Sequence, residues 1–312
     1  MTTARRIGPR GRVALTGLLL LAGPAVSACD TEVATGVSAQ ASSSASGQVA
    51  SPLTRRSDRW ASAGEAVLTP GVQAYTAGGG QCTTNFVFTD ADARVYLGQA
   101  AHCGSTGESS DTNGCDTGSV ELGTRVIFRE HGTPLDEGKR LAAGTLVYSS
   151  WRAMQHDNEH NAATCAYNDF ALIRIDSADA KQVNPSVPFW GGPTGIDTDG
   201  VAAGDPVYSY GNSSLRFGLT EFSRQQGTAR SDDAAADGWS HSLVSPTPGV
   251  PGDSGSAYLS GPGLALGTLS TLGLSIPIIN SVGDLGRELR YAQAHSGIAG
   301  LALELGTTPF NG

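Results

Sequence analysis

The sequence predicts an all-β protein, and three observations predict it. Glycine supplies 42 of the 312 residues, charged residues make up only 16%, and no amphipathic run of helical period stands out in the central region. Short apolar stretches bounded by Gly, Asp and Ser instead read as many short strands joined by turns. A chain of this length can bury one large core or two modest ones.

The first element, Met1 to Ala28, reads as a signal peptide: Arg5, Arg6, Arg10 and Arg12, then "VALTGLLLLAG", then small residues. That apolar stretch is too short to span a membrane comfortably. "VSAC" at Cys29 resembles a bacterial lipobox, so Cys29 is a candidate for lipidation and a cell-surface anchor; ordinary cleavage after Val-Ser-Ala, giving a freely secreted form, is the alternative. Cys29 is also the odd one of five cysteines, and setting it aside leaves four to pair in an oxidising compartment. Residues 29–61 are rich in Ser, Ala and Gly, as a flexible tether is. The net charge is −9 overall and −13 once the four arginines of the leader are removed. An acidic exported chain is a poor partner for nucleic acid.

Next come strand-like runs around "GGGQCTTNFVFTD" and "VYLGQAAHCG". The second ends in small residues at His102, where the chain can pack closely. "CAYNDFALIRIDS" then sets Asp169 at the threshold of an alternating apolar strand, Phe170 to Ile175. A carboxylate there is costly unless hydrogen-bonded, so Asp169 is expected to have a partner. "GVPGDSGSAYLS" places Ser254 between glycines; alone, Gly-Asp-Ser-Gly is a turn signal. A serine hydroxyl attacks an amide only with a histidine base, a carboxylate to orient it and donors for the oxyanion. The chain closes with one helix-like segment, "GDLGRELRYAQAH", and a last strand, "IAGLALEL".

"AAHC" around His102, "NDFALIRI" around Asp169, "GDSGS" around Ser254 and the strand "LALGTLST" stand in one order. In that order they resemble the chymotrypsin family of serine peptidases, in its bacterial secreted, streptogrisin-like branch. The resemblance covers roughly residues 67–273. It implies two antiparallel six-stranded Greek-key barrels with a C-terminal helix: residues 62–190 with His102 and Asp169, and 191–312 with Ser254. It implies Ser254 as nucleophile, His102 as base, Asp169 as orienting carboxylate, and the N–H groups of Gly252 and Ser254 as oxyanion hole. It pairs Cys82 with Cys103, which leaves Cys115 for Cys165. Protein or peptide substrates, no cofactor, no metal, a monomer, and membrane contact only through the lipid anchor are expected with it.

Some positions depart from the pattern. Gln99 stands where threonine is usual, and Ser256 where most members have glycine. No Ile-Val-Gly-Gly start is present to pair with Asp253, which then needs an internal arginine. Six residues before the nucleophile, where trypsin-like members carry aspartate, stands Pro248. An unpaired buried guanidinium is costly, so cleavage after Arg or Lys is expected to be disfavoured. Ser270, Thr271 and Leu272 are expected to form the substrate-binding wall, Ser270 by strand addition. Medium apolar residues (Leu, Val, Ala) are expected before the cleaved bond, with Glu as runner-up through His241.

Two other readings compete. "HDNEH" (His156, Glu159, His160) matches a zinc-peptidase pattern, but Asp157 and Asn158 are poor inside the helix it needs, so a solvated loop is expected. A protease-like surface protein that binds without turnover is the other, since fold does not dictate function.

Overall fold

The computed structural model describes residues 59–108, 111–231, 233–272 and 278–312. The signal peptide, Cys29 and all but the end of the tether lie outside the described residues. The first sheet contains β1 (Gln73–Thr76), β2 (Gln81–Thr83), β3 (Val87–Thr89), β4 (Val95–Gln99), β5 (Arg125–Glu130) and β6 (Lys139–Ser149). Two helices that the sequence did not predict follow, α1 (Ser150–Asp157) and α2 (Ala162–Tyr167), before β7 (Ala171–Ile175). The strand expected here is borne out but its alternation is not: Ala171, Leu172 and Ile173 are buried in succession, as on a strand covered on both faces, and only Arg174 is exposed.

The second sheet is a closed six-stranded barrel of β8 (Pro206–Tyr210), β9 (Arg224–Ala229), β10 (Ser240–Val244), β11 (Ala257–Ser260), β12 (Ala265–Leu272) and β13 (Ile279–Asp284). Closure leaves its ladder without a free edge. Val207, Leu243, Tyr258, Leu266, Leu269 and Val282 fill it. Helix α3 (Leu285–His295) follows as expected, N-capped by the Asp284 carboxylate, which accepts from the Arg287 N–H at 2.7 Å.

One expectation needs correction here. The last strand, β14 (Ala302–Leu303), does not stay with the second barrel but pairs with β3 at the edge of the first sheet. With β1 to β7 and β14 that sheet is an eight-stranded curled half-barrel, ordered β14-β3-β4-β7-β6-β5-β1-β2. Beside the closed six-stranded barrel and the C-terminal helix it gives the two-barrel fold class that the sequence predicts, with two strands more than expected in the first half. The chain crosses back because Leu301, 3% exposed, buries itself in an apolar cluster with Phe88, Phe170, Leu259 and Leu289 from both halves. No helix among the described residues is long and apolar enough to cross a membrane.

Both expected disulfides form. Cys82–Cys103 joins β2 to the turn after β4, and Cys115–Cys165 joins the loop before β5 to α2.

Candidate active site

His102 sits in a 3-10 turn, Ala101–Gly104, that β4 feeds directly. The turn is held on both sides. Its Cys103 is bonded to Cys82, and the Ala101 N–H donates to the Asp169 carbonyl at 3.2 Å. The Asp169 carboxylate then grips the histidine twice, accepting from the His102 backbone N–H at 2.8 Å (Oδ1) and lying 2.6 Å from Nδ1 (Oδ2). A carboxylate accepting at Nδ1 selects the tautomer protonated there and leaves Nε2 as the nitrogen able to accept a proton. Burial alone would lower the His102 pKa; the adjacent Asp169 charge and hydrogen bond outweigh it and leave it above the ordinary 6.5. At Asp169 burial pushes up, but His102 and the Ser270 hydroxyl, 2.6 Å from Oδ2, hold it below 3.8.

Ser270 reaches Asp169 because β12 is irregular there. Leu269 pairs with Val282 and Thr271 with Ser281, so Ser270 is one residue too many for β13. Such a bulge re-aims the extra side chain, here across to the first sheet.

Ser254 comes to the same cleft through its backbone. Its carbonyl accepts from the Thr83 N–H at 2.9 Å, next to the Cys82–Cys103 bridge, and the Gly255 N–H donates to Leu269 at 2.7 Å. Gly255 (φ 87°) must be glycine: a Cβ would lie 2.5 Å from the Thr83 carbonyl oxygen and 2.8 Å from the Ala100 nitrogen. The structure thus joins His102 to Asp169 by hydrogen bonds, whereas Ser254 Oγ makes none among the described residues. Catalytic hydrogen bonds often tighten only when substrate binds. The backbone N–H groups of Gly252 and Ser254 also donate to no group of the described residues. Between them the Asp253 N–H is already used, donating to the Val250 carbonyl at 2.8 Å.

The internal arginine expected for Asp253 is Arg216. Its Nε lies 3.2 Å from both carboxylate oxygens and its Nη2 also bonds Oδ2, while Asp253 is fully buried. The Ser213 and Val250 N–H groups at 2.9 Å each and the Gln225 Nε2 at 3.3 Å also donate to it. A buried pair so fully hydrogen-bonded fixes the turn that carries Gly252 and Ser254. "SSLRFG" gave no sign of this, because its partner lies 37 residues on.

Glu288 of α3 was missed for a different reason: inside "GRELR" it reads as a solvent-facing charge. It is fully buried, accepts from the Asp169 N–H at 3.3 Å, and lies 2.9 Å from the Thr268 hydroxyl. Burial and the neighbouring Asp169 charge hold it well above the ordinary carboxyl range.

Of the expected substrate wall, Pro248 lends its carbonyl to Arg216 Nη2 at 3.3 Å, and Ser270 and Thr271 lie on β12. The side chain of Leu272 lies outside the described residues. His241 is buried and bonded to Asp284 at 3.1 Å. The zinc-peptidase pattern does not assemble: α1 stops at Asp157, and Asn158 turns left-handed (φ 52°), so His156 and His160 share no helical face. Cys82, His102 and Cys103 converge, but both sulfurs are spent in the disulfide.

No protein-family model matches the chain, and no curated protein matches it. Among solved structures the chain is similar to Thermobifida fusca protease A (TM-score 0.46, 20% identity, 77% of this chain and 100% of that one). It is also similar to the Nocardiopsis protease (0.44, 17%, 76% and 98%). A third is the Cellulomonas bogoriensis chymotrypsin (0.44, 16%, 77% and 100%). The solved structures this chain is similar to are thus bacterial chymotrypsin-like serine proteases.

Proposed function

We propose that the chain is an exported serine endopeptidase, held at the cell surface through Cys29, which hydrolyses peptide bonds through His102, Asp169 and Ser254. The observation that carries this reading is the pairing of a doubly gripped His102–Asp169 couple with two N–H groups, those of Gly252 and Ser254, that donate to no group among the described residues. Ser254 Oγ attacks the carbonyl while His102 Nε2 takes its proton; Asp169 stabilises the imidazolium so formed. The oxyanion is received by the Gly252 and Ser254 N–H groups, a donor pair in which one loss typically raises the barrier by about 3 kcal/mol. His102 then protonates the leaving amine, and water repeats the sequence on the acyl-enzyme. The Cys82–Cys103 bridge and the Arg216–Asp253 pair preorganise the two sides of this cleft. Substrates are proteins or peptides, and residues before the cleaved bond other than Arg and Lys are favoured.

The test is labelling of Ser254 by a fluorophosphonate together with peptide turnover by the wild type, Ser254→Ala, His102→Ala and the double variant. Each single change should remove nearly all turnover, about 10⁶-fold, with the double costing little more. Wild-type turnover by Ser254→Ala overturns the mechanism. A folded wild type that neither labels nor turns over supports the surface-binding alternative.

A further inference from the structure

Asn280, on β13, holds a polar group in an otherwise apolar row. It alternates with Val282 and pairs in register with Leu243, and both of those residues fill the barrel interior. Asn280 therefore continues the inner face to the barrel's end, where it is fully buried. Its Oδ1 accepts from the Gly249 N–H at 3.3 Å. That bond fixes which end of the amide is which, because a flipped amide would set two donors against each other. Nδ2 is then left buried with no hydrogen-bond partner among the described residues. Buried donors are nearly always satisfied, so a bare one asks what takes its bond.

Its position answers that. Asn280 touches Gly249, beside Pro248, and pairs across the ladder with Leu272. Those two segments are the candidate walls of the substrate pocket, five to six residues before Ser254 and directly after Ser270. We infer that Asn280 is the specificity-determining residue of this pocket: its Nδ2 donates to an uncharged, hydrogen-bond-accepting side chain on the residue before the cleaved bond, glutamine foremost. This inference rests on the endopeptidase reading. The expectation of an apolar preference took account of Pro248 and the strand wall; Asn280 adds a donor to them. A carboxylate satisfies the donor but not its own charge. Arg216, which donates to the Pro248 carbonyl, is committed to Asp253, and His241 is engaged with Asp284. A site built around a hydrogen bond rejects the analogue that lacks it, because the buried group is then stranded.

The experiment compares kcat/KM on peptides identical except for Gln, Leu, Glu or Lys before the scissile bond. The wild type should favour Gln over Leu by about 10²-fold, and a ratio of one or less overturns the inference. Asn280→Leu, nearly isosteric but without a donor, should bring the ratio to one or below; an unchanged ratio also overturns it. Asn280→Asp replaces donor with acceptor and should raise Lys relative to Gln. Fluorophosphonate labelling reports whether each variant retains its site; if Asn280→Leu does not label, the wild-type and Asn280→Asp ratios decide. Cleavage that favours Leu overturns this inference alone, whereas no cleavage and no labelling overturns the endopeptidase reading with it.

Discussion

At His102 burial and Asp169 pull the imidazole pKa in opposite directions, and Asp169 prevails. Because the base must be neutral, the acid limb of kcat/KM is expected above pH 6.5 and should rise with pH. Asp169→Asn should move it down and cut kcat by about 10⁴-fold. Glu288 has the opposite linkage to an ordinary paired carboxylate. Its folded pKa lies above 4.5, so the folded chain binds a proton that the unfolded one releases. The stability it contributes is full below 4.5 and falls as pH rises towards the folded value. Glu288→Gln should therefore gain stability over the wild type as pH rises from 4.5, read from denaturant midpoints across pH. Glu288→Ala should cost about 1–3 kcal/mol for each bond it strands, at the Asp169 N–H and Thr268. The three residues of the proposed triad were legible because each stands in its own contiguous motif. Arg216, Glu288 and Asn280 were not, because what makes each informative is a partner far away in sequence.

Among the elements, the turn bearing His102 depends most on the Cys82–Cys103 bridge, since β2 also holds the Ser254 carbonyl through Thr83. Replacing both cysteines by serine should cost about 2–4 kcal/mol, and turnover should fall even where the protein stays folded. The Cys115–Cys165 pair closes a longer loop, of 50 residues against 21, and the hydrogen bonds of its two cysteines among the described residues go to Asn113, Gly114, Glu159 and Asn161 rather than to the Ser254 turn. Its loss should therefore lower the thermal midpoint with a smaller loss of kcat, which separates structural from positioning effects. Strand β7 was readable as an apolar run and α3 as the one helix-like segment near the end of the chain. The bulge at Ser270 was not: nothing in "TLSTLGL" says which residue β13 will leave unmatched, because the shift is set by the partner strand. Helix α1 was hidden too, because Asp157 and Asn158 read as poor helix formers, yet Asp157 is its last residue and Asn158 its C-cap.

Across the molecule one apolar cluster runs through both halves, from Phe86 and Phe88 to Leu259 and Leu289. The chain after α3 seals it: Leu301 buries, β14 joins β3, the Gly192 N–H donates to Thr308 at 3.0 Å, and Phe310 packs edge-on to Tyr208 at 5.3 Å. Leu301→Ala should cost about 2–5 kcal/mol. It should leave a single cooperative unfolding transition if the halves are one unit; two calorimetric peaks would show that they are not.

The returning strand also sets an order of events. During synthesis β3 is made early, yet its outer partner is made after every other described strand. Until then the growing sheet has a raw edge, the kind of surface that templates aggregation. The half bearing His102 and Asp169 therefore gains its last strand only when the half bearing Ser254 already exists.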